Sequence, residues 1–315
     1  MNKNSSIYVA GHTGLLGSAL VRALNKSGYS NIITADRGFD LTDPERVLYL
    51  FDLHKPEYVF MAAARVGSIA ENIKYPADFL EDNLLIQGNV VRLSYEFLVK
   101  KLLFFSANCC YPRECPQPMR EEYFMSGPLE PTNESYAIAK IAGMDLCHSY
   151  NVQHGTQFHC VVLASLYGVN DHFGKNRAHV VADMIHKFHR AKAEGLNEII
   201  FWGDGSPLRE LMFVDDAADA AIFLMDNYKP NLGEPIFINA GTSHEVSIVN
   251  LAGLIAEVVD FKGRIGWDTS KPNGMPRKLL DSKRINSMGW RNKVKLRDGI
   301  ERTYQWYLNN FRVKN

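Results

Sequence analysis

Two spacings in this sequence could do chemistry. In Pro131-Thr-Asn-Glu-Ser-Tyr136-Ala-Ile-Ala-Lys140 a phenol and an ammonium stand four residues apart in a good helix former, hence on one face and one turn apart. Both side chains can reach one substrate, so the phenol can serve as proton donor to a carbonyl that receives hydride, with the lysine lowering its pKa and holding a cofactor ribose. Alone, this pair could equally be an exposed helix pair. Gly11-His-Thr-Gly14-Leu15-Leu-Gly17 gives it context, because the glycines follow an apolar run directly and open an amphipathic segment. Gly11 can make the tight turn and Gly14 can admit a pyrophosphate to the backbone. Gly17 lets helix and strand pack closely, with the phosphates at the positive helix N-terminus. Asp36 lies where a carboxylate could bind an adenosine ribose 2′-hydroxyl, whereas the adjacent Arg37 could meet a 2′-phosphate, so the choice between NADH and NADPH stays open at this point.

The elements that must position these residues are readable from periodicity. Short apolar runs at 7–10, 58–64, 102–107 and 158–164 alternate with helical segments such as 15–24 and 84–98. That alternation is the signature of βαβ units on a parallel sheet covered on both faces. The fold class is therefore α/β, a Rossmann-type doubly wound parallel sheet with a smaller α/β C-terminal substrate domain. Further expected elements are a strand at 31–35, a helix at 180–193, strands at 198–202 and 235–239, and a helix at 215–227 capped by Asp215 or Asp216. The cofactor domain is expected over 1–166 with roughly 210–240, and the substrate domain over 167–209 and 241–315.

Bulk properties narrow the class. Lys plus Arg equals Asp plus Glu at 35 each over 315 residues, so no overall field draws nucleic acid or an anionic membrane. The first residues lack the apolar stretch of a secretory signal, and no run approaches the roughly 18 apolar residues of a membrane span. A cytoplasmic location is expected. The five cysteines, Cys109, Cys110, Cys115, Cys147 and Cys160, show no paired C-x-x-C spacing, so neither a disulfide framework nor a metal site is expected.

With both motifs in place the sequence resembles the extended short-chain dehydrogenase/reductases, and within them the GDP-L-fucose synthase family, over nearly the whole chain. The resemblance rests on Val9-Ala10-Gly11-His12, Ala62-Ala63-Ala64-Arg65-Val66-Gly67, Tyr75-Pro76-Ala77-Asp78-Phe79 and Leu129-Glu130-Pro131-Thr132-Asn133-Glu134. It continues through Trp202-Gly203-Asp204-Gly205, Arg209-Glu210, Val214-Asp215-Asp216, Lys271-Pro272-Asn273-Gly274 and Pro276-Arg277-Lys278-Leu279-Leu280-Asp281. It implies a two-stage reaction on a nucleotide-bound 4-keto sugar: inversion at C3 and C5 through enediolates, then reduction at C4 by NADPH. Carried over by position, Cys109 resembles the epimerisation base and His179 its partner acid, with Tyr136 donating the proton at C4 and Lys140 assisting. A thiolate and an imidazole can move such protons near neutral pH once a site tunes them. Ala63 falls in the cofactor wall, and Lys187, Trp202, Arg209 and Lys271 are candidates for the GDP end, as cations for pyrophosphate and an aromatic wall. A homodimer through helices of the cofactor domain is implied as well.

The departures matter. Ala107 stands where the family usually has a serine that hydrogen-bonds the reacting C4 oxygen, Ser165 where it has asparagine, and Cys110 where it has a larger aliphatic residue. Ser106 or Asn108 could supply a shifted contact. Thr13 replaces an arginine that often meets the 2′-phosphate. These changes suggest an altered sugar, for instance a GDP-4-keto-heptose, or loss of one stage. The competing enzyme class is an NAD-dependent nucleotide-sugar 4-epimerase or 4,6-dehydratase, and a non-catalytic dinucleotide sensor is a third reading.

Overall fold

The computed structural model describes residues 1–36, 38–174, 178–231, 233–271, 273 and 275–311. The four apolar runs form β1 (Ile7–Ala10), β3 (Tyr58–Met61), β4 (Lys101–Ala107) and β5 (Phe158–Leu163). With β2 (Ile32–Ile33) and β9 (Ile238–Ala240) they make one parallel sheet of order β2-β1-β3-β4-β5-β9. Its central strands are buried on both faces, which is why they read as unbroken apolar runs and not as alternating ones.

Helices α1 (Leu15–Lys26), α2 (Pro44–His54), α4 (Pro76–Glu96), α5 (Glu134–His154) and α7 (Val214–Asn227) cover that sheet. The fourth helix begins well before the apolar period that announces it, with Pro76 at its first position and Asp78 in its first turn. Ahead of it the short α3 (Ile69–Lys74) starts at a capping box made by Ser68 and Glu71. The strand expected at 31–35 shrinks to two residues, and that at 235–239 is displaced to 238–240. The expected cap of α7 is a correction. Its N-cap is Phe213 without a side-chain cap, because Asp215 pairs with Arg22 at 2.9 Å while Asp216 accepts the Lys293 and Val294 amides at 3.0 Å each.

The remaining strands build smaller sheets. β6 (Ser165–Tyr167), β10 (Glu245–Ser247) and β12 (Arg277–Lys278) flank β8 (Leu208–Phe213), and β7 (Glu198–Trp202) pairs in parallel with β11 (Arg264–Asp268). Helices α6 (Val180–Ala193), α8 (Ile248–Val259) and α10 (Leu296–Asn310) bury their apolar faces in a second core around Phe188, Phe213, Ile255 and Tyr307; α9 (Lys283–Ser287) lies against β9. The sheet order reverses between β1 and β3, so the crevice for a ligand lies beyond their carboxyl ends. The glycine turn leaves β1 at that point.

Candidate active site

A cavity of about 690 Å³ runs from the glycine turn and Asp36, past Ala63, to Cys109, His179 and Arg209. Of the residues singled out from sequence it is lined by Gly11, Gly14, Leu15, Gly17, Asp36, Ala63, Ser106, Ala107, Asn108, Cys109, Tyr136, Lys140, Ser165, His179 and Arg209. Lys187, Trp202 and Lys271 lie outside it, and Arg37 lies outside the described residues.

The glycines have separate reasons. Gly11 holds φ +83°, and a Cβ there would sit 2.7 Å from the Ala63 backbone. A Cβ on Gly17 would lie 2.0 Å from the Gly11 carbonyl oxygen, so this position locks helix to strand. Gly14 is different: a Cβ would meet only that oxygen, at 3.4 Å, and would otherwise occupy open cavity. Gly14 is also the N-cap of α1 and offers no side-chain acceptor, leaving amides of the first turn directed at the cavity. An open glycine at an uncapped helix start fits a dinucleotide pyrophosphate.

Deeper in, the first two turns of α5 bring Tyr136 and Lys140 together as the spacing required. Lys140 Nζ donates to the Phe105 carbonyl at 3.0 Å and lies 5.9 Å from the Tyr136 ring centroid. Burial pushes this ammonium down to about 8, opposed by nearby Cys109. The expected lowering of the Tyr136 pKa does not occur here; burial raises it, with Cys109 and Cys110 acting the same way. Phe79 meets Tyr136 edge-on with ring centroids 6.4 Å apart, which fixes the phenol's wall.

Cys109 sits in a single helical turn, Asn108–Cys110, where β4 ends. Burial raises its thiol, and the ammonium groups of Lys278 and Lys140 act in the opposite direction. Cys110 points into the core, so the residue next to the candidate base is a packing residue. Ala107 presents a methyl to the cavity, and the Ser106 hydroxyl is buried without a hydrogen-bond partner among the described residues. Opposite these, His179 precedes α6 and its Nδ1 lies 3.1 Å from Asp171 Oδ1, a hydrogen bond that raises the imidazole pKa against burial.

Arg209 does not pair with Asp215. Its guanidinium donates to the Leu208 and Met275 carbonyls at 2.8 and 2.7 Å, and burial lowers its pKa. Beside it in register stands Lys278, a cavity-lining ammonium pushed down by burial, which sequence reasoning carried only inside a matching string. Next to Arg209, the buried carboxylate of Glu210 ties β8 to its neighbours by accepting the amides of Thr242, Ser243 and Leu280 at 2.7, 2.7 and 2.9 Å. Outside the cavity, Lys187 pairs with Asp183 at 2.6 Å and faces the Phe201 ring, while Lys271 lies 5.9 Å over the largely exposed Trp202.

The site therefore joins a glycine turn, a phenol–ammonium pair, a thiol and an imidazole in one cavity. The model of the NAD dependent epimerase/dehydratase family matches residues 7–241. The chain belongs to this family. It is 48% identical to GDP-L-fucose synthase 1 of Arabidopsis thaliana, covering 98% of this chain and 95% of that protein. It is 41% identical to the GDP-L-fucose synthase of Escherichia coli (strain K12), covering 96% and 97% respectively. Among solved structures it is similar to a GDP-mannoheptose C4 reductase from Campylobacter jejuni with NADP bound, at 39% identity and TM-score 0.89 over 98% of this chain and 99% of that one. The resemblance to GDP-L-fucose synthases read from the quoted strings is borne out by these relatives.

Proposed function

We propose that the chain is an NADPH-dependent reductase acting at C4 of a GDP-4-keto-6-deoxy sugar, hexose or heptose, and that it also epimerises C3 and C5. The observation that carries this reading is the convergence of the Tyr136–Lys140 pair with Cys109 and His179 in the cavity that begins at the glycine turn. Relatives named as GDP-L-fucose synthases, and a GDP-mannoheptose C4 reductase solved with NADP, support it over a 4-epimerase or 4,6-dehydratase. An intact pair of proton-transfer groups likewise speaks against a non-catalytic sensor.

In this reading the amides behind Gly14 hold the cofactor pyrophosphate, with Leu15, Asp36 and Ala63 forming the rest of the cradle. Bound there, NADPH supplies the hydride. Cys109 removes the proton beside the ketone, its electrons passing to the C4 oxygen, and His179 returns a proton to the opposite face. Tyr136 then protonates the C4 oxygen as it becomes an alkoxide, and Lys140 fixes that geometry. A high phenol pKa suits a group that must start protonated. Arg209 and Lys278 carry cations to the diphosphate side, and Trp202, Lys187 and Lys271 offer a wall beyond the cavity mouth for the nucleoside.

The cofactor domain in this proposal is 1–166 with roughly 210–240, and the sugar-nucleotide domain is 167–209 with 241–315. Among the described residues no helix is long and apolar enough to cross a membrane, and we place the enzyme in the cytoplasm as a homodimer. The test is incubation with GDP-4-keto-6-deoxy-mannose and its heptose analogue, plus NADPH, in deuterium oxide. Reductant consumption and deuterium at C3 or C5 are expected; neither signal on any 4-keto sugar would overturn the proposal. Tyr136→Phe is expected to abolish reduction, and Cys109→Ala only the deuterium incorporation.

A further inference from the structure

Residues 168–174, which follow β6, carry groups that bear on His179 at the head of α6. Asn170, at φ +71°, donates through its side-chain amide to the Thr13 carbonyl at 2.9 Å and to Ser18 Oγ at 3.2 Å, so the segment is tied to the glycine turn. Phe173 anchors it on the other side, with ring centroids 5.8 Å from Trp306 and 4.9 Å from Tyr307. Between these anchors Asp171 has a fully buried side chain.

The hydrogen bonds of Asp171 orient the imidazole. Its Oδ1 accepts the His172 amide at 2.8 Å and faces His179 Nδ1 at 3.1 Å, while Oδ2 is buried with no partner among the described residues. An ionised carboxylate can only accept, so Nδ1 must carry the hydrogen and donate it. That leaves Nε2 as the nitrogen free for substrate, as in histidines whose second nitrogen is set by a carboxylate. A buried carboxylate with one oxygen unsatisfied is costly to keep, and an imidazolium held against its other oxygen offsets the cost; the Asp171 side chain is fully buried while that of His179 is 47% exposed.

From this geometry we infer that Asp171 is a positioning residue which presents His179 to the sugar as an Nε2–H acid, and so makes it the proton donor of the epimerisation. The inference rests on the proposed function for its substrate, but the dyad itself can be tested without one. When Cys109 Sγ accepts the α-proton, the C–H electron pair moves to the enediolate oxygen. His179 Nε2–H then forms the new C–H bond on the opposite face while the oxygen's electron pair returns to the carbonyl. The thiol and the neutral imidazole exchange protons with solvent to reset. Besides His179, the titratable groups lining the same cavity among the described residues are Tyr8, His12, Asp36, Asp40, Cys109, Tyr136, Lys140, His172, Arg209 and Lys278, and Asp183 lies one turn along α6, paired with Lys187. Among the described residues, Asp171 is the group that holds the imidazole's pKa up.

The experiment is Asp171→Asn in the full chain, with Asp171→Glu alongside, read in two ways. First, the His179 ring is titrated by NMR with labelled histidine, assigned by His179→Gln. Its pKa is expected to fall by a unit or more in Asp171→Asn and to recover at least in part in Asp171→Glu. Second, deuterium incorporation at the inverted carbons is expected to drop about 10- to 100-fold, with its alkaline limb moved to lower pH, while reduction of an already epimerised 4-keto sugar changes less than threefold. An unchanged titration would overturn the inference, as would a parallel fall in wash-in and reduction with lowered Tm, which marks a merely structural role. If no 4-keto sugar is turned over by the wild type while the titration shifts as stated, the substrate reading fails and the dyad stands.

Discussion

At the scale of single residues, the site is a set of groups whose tuning comes from neighbours and not from their own chemistry. Burial acts on Tyr136, Lys140 and Cys109 alike, but it favours the neutral form in each case, so the cavity holds a protonated phenol, a lowered ammonium and a raised thiol. Charged partners then separate the roles: Lys278 and Lys140 lower the thiol's pKa against burial, and Asp171 raises that of the imidazole. Ala107 is the exception, because a methyl lines the cavity where a hydroxyl would polarise the ketone. Ala107→Ser is expected to raise kcat for C4 reduction on the order of 10-fold or more with little change in KM, since a donor aimed at the developing oxyanion acts on the transition state. Steady-state kinetics on the preferred sugar checks this. An unchanged kcat would mean that the Ser106 hydroxyl, Asn108 or Lys278 already makes that contact.

The elements explain which residues could be foreseen. Local patterns were legible: the Gly11–Gly17 turn and the Tyr136–Lys140 spacing each lie within one strand-to-helix or one helical turn, where sequence separation and spatial separation coincide. Non-local placement was not. Lys278 enters the cavity because β12 pairs with β8 beside Arg209, and Glu210 holds that pairing through amides 32, 33 and 70 residues away, a relation no period in the sequence encodes. The cap of α7 was misplaced for the same reason, since Asp216 spends its oxygens on amides 77 and 78 residues away. Within the turn, the three glycines predict different failures. Gly14→Ala adds a methyl that meets only one atom, at 3.4 Å, and is expected to leave Tm within a degree or two while weakening NADPH binding at least tenfold. Gly17→Ala forces a Cβ to within 2.0 Å of a backbone oxygen and is expected to lower Tm by several degrees as well. Thermal melts and cofactor titration of the two variants distinguish a pocket glycine from a packing glycine.

For the whole molecule, the surface and the core make separate demands. Leu84 and Leu85 on α4 and Ile138 on α5 are 40%, 44% and 42% exposed on two helices that pack side by side over the main sheet. Leu84→Glu with Ile138→Glu is therefore expected to convert the proposed dimer to a monomer in sedimentation without loss of cofactor binding; an unchanged sedimentation coefficient would place the interface elsewhere. In the core, β5 carries His159 with no exposure and neither ring nitrogen bonded among the described residues; it lies edge-on to Tyr228 at 5.3 Å. Burial, reinforced by Lys101, pushes its pKa down to about 3 from 6.5. Between those pH values the unfolded chain takes up a proton that the native ring refuses, so stability falls as pH falls and rises again as it is restored. The slope approaches about 1.4 kcal/mol per pH unit, for a total on the order of 4 kcal/mol across the window. His159→Leu removes the proton acceptor from both states, and the difference in unfolding free energy between wild type and variant is expected to shift by several kcal/mol in the variant's favour from pH 7 to pH 4. Taking that difference cancels the buried carboxylates Glu121, Glu210 and Asp216, whose raised pKa values act with the opposite sign in both proteins. Urea titrations at those two pH values measure it directly, and parallel pH profiles for the two proteins would show that the ring is hydrated in solution.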